Sequence, residues 1–179
     1  MVSPRGPKAR ARARAKTRPR PLSPKPTYVE DRGAVYDAPL EVVWDFLQKD
    51  EQFHPRAHTA KVRNFQSKDL SEVTTLLSYE RRQGSRWKKM VCRLTSIRPA
   101  VRVQEDLDGP YAGSTTVFLY TPQGERTVVD VLGFLRSSEL TPAEMKRDRK
   151  RTWANAYAED LPYFRRFADQ HPIVRRTRR

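Results

Sequence analysis

One cysteine and three histidines in 179 residues remove whole classes of chemistry at the outset. A single thiol, Cys92, closes no intramolecular disulfide and builds no thiolate-rich metal site, and so little cysteine suits a reducing compartment. His54 and His58 stand four apart, but Pro55 between them disfavours the regular helix that would align both rings. His171 is far along the chain, so a zinc site would need a carboxylate to complete it, and no metal is expected. No apolar run reaches the ~20 residues that cross a bilayer, and no signal-peptide core follows the first basic residues. A glycine-rich phosphate loop, a G-x-S-x-G elbow and an H-E-x-x-H pair are all missing. No cofactor is expected either. Cys92 lies in a strand-like alternating run with no base placed beside it, which suits a small apolar core residue better than a nucleophile.

Acid is absent from both ends. Residues 1–27 hold nine Lys or Arg and residues 175–179 four Arg, with no Asp or Glu in either. The formal charge of +15 therefore belongs to the ends, since 23 basic and 21 acidic residues between them leave +2. With six prolines and few apolar side chains, residues 1–27 are predicted to be a disordered tail, and residues 171–179 a second basic tail. Arg10, Arg12 and Arg14 alternate with Ala and suit phosphates on nucleic acid or an anionic membrane; a solvated extension that limits aggregation is the plainer reading. An Arg-rich start also suits organelle targeting, though its prolines interrupt the amphipathic helix that such a peptide forms. The expected location is cytoplasmic, with targeting as the alternative.

Residues 28–170 have the length of one domain. Residues 28–36 read as a first strand. A helix follows, capped by Asp37 or Ala38 with Pro39 in its first turn, and Leu40, Val43, Trp44 and Leu47 at i, i+3, i+4, i+7 mark its buried face. A second helical turn is expected near Lys49 to Phe53, ending at Pro55. From Ala60 the period changes to two. Residues 61–66, 73–80, 87–95, 101–107, 115–121 and 127–135 read as six hairpin-linked strands, broken at Gln83-Gly84, Pro99, Asp108-Gly109-Pro110 and Pro122-Gln123-Gly124. Thr141-Pro142-Ala143-Glu144 is a capping box that opens a long helix, with Trp153, Tyr157, Leu161, Phe164 and Ala168 as its apolar stripe. Pro162 is expected to kink or restart that helix.

The A-P-x-E-V-V-W-D-F-L block at residues 38–47, the two Gly/Pro turns and the capped terminal helix resemble the helix-grip SRPBCC superfamily. That superfamily includes START domains, Bet v 1-like allergens, polyketide cyclases and coenzyme Q-binding proteins. The resemblance covers residues 28–170 and implies an α+β fold. A seven-stranded curved antiparallel sheet would wrap the C-terminal helix in β-α-α-β6-α order and leave a cavity for an apolar small molecule. It implies no catalytic residue.

Trp153 and Tyr157 on the helix would then face Phe118 and Tyr120 on the sheet, carrying the apolar bodies and polar tips that line small-molecule pockets, or simply filling a core. Val131 belongs to the same expected lining. Gly133, in an otherwise bulky strand, leaves room for a ligand or marks a bulge. Arg93, Glu105 and Asp130 interrupt apolar alternation and are the candidates for catalysis if they point inward; on an outer face they are ordinary solvated charges. Three functions stay open: a carrier or sensor of a lipid, quinone or polyketide-like molecule, a cyclase or dehydratase using those polar residues, and an adaptor held to nucleic acid or membrane by its tails. The strand over residues 127–135 is apolar on both faces, as in a covered edge or a homodimer.

Overall fold

The computed structural model describes residues 25–48, 61–98 and 100–173. Seven strands, β1 (Thr27–Tyr36), β2 (Val62–Ser71), β3 (Thr74–Gln83), β4 (Arg86–Ile97), β5 (Val101–Asp108), β6 (Ser114–Gln123) and β7 (Arg126–Leu135), form one curved sheet. Their spatial order is β1-β7-β6-β5-β4-β3-β2, and every pair is antiparallel. Hairpins join β2 through β7, while β1, separated from them in sequence, returns to pair with β7. Two helices complete the described fold, α1 (Leu40–Gln48) after β1 and α2 (Pro142–Gln170) at the end. The second helical turn near Lys49, the pair His54 and His58, most of the N-terminal tail and residues 174–179 lie outside the described residues.

α1 buries Leu40, Val42, Val43, Trp44, Phe46 and Leu47. Each large apolar side chain taken fully from water contributes about 1.5–3 kcal/mol, so this short helix is held by packing more than by propensity. Its start differs from the predicted one. The Pro39 carbonyl accepts from Val42 N at 3.1 Å and Val43 N at 3.2 Å, which makes Pro39 the cap. Asp37 pairs instead with Arg126 at 3.0 Å, and the Ala38 carbonyl accepts from Thr127 Oγ1 at 2.9 Å, tying the entry of α1 to β7.

α2 begins with the predicted capping box: Thr141 N donates to Glu144 Oε2 at 2.8 Å, and Glu144 N donates to Thr141 Oγ1 at 3.4 Å. Thr141→Ala is expected to cost ~1 kcal/mol in urea unfolding, because it removes one half of that exchange. The helix runs through Pro162 without a break in its assignment, so the predicted restart does not occur. Phe164, Phe167 and Ala168 bury against α1, where Phe46 meets Phe164 at a ring-centroid distance of 5.3 Å. The part of α2 ahead of Pro162 is left to face the open part of the sheet.

Two bulges shape the concave wall. At Gly33 (φ 83°) the β1–β7 register shifts, and beyond it Ala34 and Tyr36 turn inward. At Asn64 (φ 53°) β2 bends against β3, and Phe65 turns to the same side. The extra residue at a bulge re-aims the side chains beyond it.

Candidate functional site

A cavity of about 470 Å³ lies between the concave face of the sheet and α2. That is the range of pockets holding one small organic molecule. Strand alternation decides what it sees. On β4, Cys92 and Leu94 face it; on β5, Arg102 and Gln104; on β6, Phe118 and Tyr120; on β7, Val129 and Val131. Leu77, Tyr79 and Arg81 contribute from β3, and α2 closes the space with Arg149, Thr152, Trp153 and Tyr157.

Five of the six residues expected to line a ligand, Phe118, Tyr120, Val131, Trp153 and Tyr157, are on this wall. Gly133 is not, and neither expectation for it holds. A Cβ there would lie 2.9 Å from Trp153 Cη2, inside contact distance, so the missing side chain makes room for the indole and not for a ligand. The register through Gly133 is regular in both neighbouring ladders, so it marks no bulge. Tyr157 is fixed by β1: its hydroxyl donates to the Val35 carbonyl and accepts from Val35 N at 3.2 Å. Burial pushes its phenol pKa up, and the hydroxyl stays protonated.

The catalytic candidates Arg93, Glu105 and Asp130 are all on the opposite face, the placement in which they are ordinary solvated charges. Each alternates with residues on the cavity wall: Arg93 with Cys92 and Leu94, Glu105 with Gln104, Asp130 with Val129 and Val131. Arg93 donates to Glu105 at 2.7 Å across the β4–β5 ladder, with both side chains solvated. That hydrogen bond holds the Glu105 carboxyl below its ordinary pKa and raises that of Arg93. Asp130 accepts from Gly33 N at 3.3 Å at the β1 bulge.

The polar groups that do face inward come from positions that the sequence pattern did not single out. β5 is inverted relative to the hydrophobic expectation: Arg102, Gln104 and Asp106 point in, while Val101, Val103 and Leu107 face out. Asp106, behind the cavity wall, is 2% exposed and Arg149, on the wall, is 4% exposed, and the two form a buried ion pair. Gln104 Nε2 donates to the other carboxylate oxygen of Asp106 at 2.8 Å. The Arg149 guanidinium stacks 3.9 Å above the Tyr111 ring, whose hydroxyl donates to Asp148 Oδ2 at 2.7 Å. Arg81 reaches across from β3 to donate to Thr152 Oγ1, which itself donates to the Asp148 carbonyl at 2.8 Å.

One signal was available for this network. Arg149 is four residues before Trp153 and four after Met145, so a charge occupies the apolar stripe of α2. A cation on a buried stripe requires a carboxylate facing it. The groups nearest it that could act as acids or nucleophiles are kept neutral. Burial pushes the Cys92 thiol up to about 12, reinforced by Asp106, and burial likewise raises the Tyr79 phenol.

His171 Nε2 lies 3.1 Å from Asp45 Oδ2 at the far end of α2, remote from the cavity wall. Among the described residues no group of three or more potential metal ligands occurs, and no helix is long and apolar enough to cross a membrane.

No family model and no curated protein sequence matches this chain. Solved structures do match it in shape. The ZhuI aromatase/cyclase from a Streptomyces species superposes with a TM-score of 0.58 at 14% identity, covering 80% of this chain and 91% of that one. The di-domain aromatase/cyclase StfQ of the steffimycin biosynthetic pathway gives 0.63 at 11% identity, covering 82% of this chain and 51% of that one. Ara h 8.0201 gives 0.58 at 9% identity, covering 80% and 98%. With a seven-stranded antiparallel sheet closed by a long terminal helix, and these structures superposing on most of it, the chain has the Bet v 1-like helix-grip fold.

Proposed function

We propose that the protein binds one small, largely apolar molecule between its sheet and α2, as a carrier or sensor and not as a catalyst. The observation that carries this reading is the 470 Å³ cavity, whose wall includes Leu77, Leu94, Phe118, Tyr120, Val131 and Trp153. Rings and branched side chains of this kind supply affinity, and the few polar groups among them supply orientation. Proteins of this fold whose names describe an aromatase/cyclase make a cyclase the natural rival. Two features weigh against it. Arg93, Glu105 and Asp130 point away from the cavity, and the Cys92 thiol and Tyr79 phenol are too weakly acidic to exchange protons near neutral pH. The Asp106 carboxylate is occupied on both oxygens by Arg149 and Gln104.

The test is native mass spectrometry of the full chain as purified, followed by solvent extraction of any adduct, with Leu94→Trp as the comparison. Leu94 faces the cavity from β4, so an indole there occupies ligand volume. The expected result is a retained apolar adduct on the unmodified protein and at least tenfold weaker rebinding by the folded variant. A clean mass that stays clean against a panel of lipids, quinones and polyketide-like aromatics would overturn the reading.

A further inference from the structure

We infer that the molecule held in this cavity carries an anionic, carboxylate-type oxygen pair, received by Arg81. This deepens the binding reading above and rests on it. Both arginines line the cavity, Arg81 from β3 and Arg149 from α2, but the Arg149 guanidinium is already covered by Asp106 and the Tyr111 ring. They converge on the same stretch of helix, since Arg81 donates to Thr152, three residues beyond Arg149 and on its side of α2.

The charges at this end do not balance. Asp106 neutralises Arg149, and its second oxygen is taken by Gln104. Arg81 meets only the neutral Thr152 hydroxyl, with no carboxylate within ion-pair distance among the described residues. Arg81 is half-buried on the wall of a mostly apolar space, where an uncompensated charge is costly. Tyr79, its phenol held protonated by burial, lines the same space.

Other acids on the wall are too far away to serve. Asp160 is eight residues beyond Thr152, ~12 Å along the helix, and Glu159 is engaged by Lys61. Asp31 comes from β1, at the opposite side of the sheet from β3. Guanidinium is the side chain best matched to a two-oxygen anion, which it grips through parallel N–H donors. An apolar tail along Leu94, Phe118 and Trp153 then completes an amphipathic acid.

The experiment is calorimetric titration of the full-length protein with dodecanoic acid and with methyl dodecanoate, which share a chain and differ in charge. The acid is expected to bind at least tenfold more tightly than the ester. In Arg81→Met that preference should fall to within twofold, and Arg81→Lys should restore part of it. Equal affinity for acid and ester in the unmodified protein would overturn the anionic-ligand inference and leave the apolar cavity standing. Failure of both probes to bind would overturn the inference together with the cavity reading beneath it.

Discussion

Arg149→Met is expected to destabilise the protein by about 3–5 kcal/mol, read as a lower urea midpoint at unchanged slope. The loss does not measure the attraction between Arg149 and Asp106. It arises because the carboxylate of Asp106, 2% exposed, is left in the interior with only the Gln104 amide to meet it. Methionine retains much of the arginine stem and packs against the Tyr111 ring that the guanidinium now covers. Adding Asp106→Asn to Arg149→Met is therefore expected to recover most of the loss, because the neutral amide has no charge to desolvate and keeps an oxygen for Gln104. Additive losses in the double variant would show that the two residues act separately and would discredit the buried pair as the organising contact of this end of the cavity.

Trp153→Ala carries the second large effect, about 3–5 kcal/mol, the range for removing a buried aromatic side chain. Trp153 is 8% exposed and packs onto the bare backbone of Gly133, with 3.2 Å from Cζ2 to where a Cβ would stand. The pair makes a sharper test than either residue alone. Gly133→Ala in the unmodified protein pushes the indole toward the cavity and is expected to cost about 1–3 kcal/mol, as overpacking does. In the Trp153→Ala background the same substitution meets only the Leu135 side chain, with Cδ2 at 3.1 Å, and is expected to cost clearly less. A coupling energy near zero would mean that the indole does not rest on Gly133, and the cavity would then have a different floor.

The placement of Gly133 shows where linear reading stops. A glycine in a run of valines and leucines is visible as an anomaly in the sequence, yet its partner is 20 residues away on another element. Nothing in the local pattern distinguishes room for a ligand from room for a tryptophan. β5 makes the same point about polarity. Its apolar residues Val101, Val103 and Leu107 share one face, interrupted only by Glu105, and hydrophobic logic sends that face inward. The sheet turns it outward because Gln104 and Asp106 are matched inside, Asp106 by an arginine 43 residues away on α2. A polar face can be the buried one whenever its charges meet their complements.

The chain by itself determined the elements. Period-two runs between Gly and Pro turns set six of the strands, the capping box at Thr141 set the start of α2, and the block at residues 38–47 set α1; these are local effects, written in neighbouring residues. The concentration of charge in the ends and the lack of metal-binding or nucleophilic motifs were equally legible. Only the tertiary structure decided which side of each strand faces the cavity, and so moved Arg93, Glu105 and Asp130 outside and brought Arg81, Asp106 and Arg149 within. The reason is that a strand's alternation defines two faces without naming either. The choice between them depends on what the long helix presents from the far end of the chain.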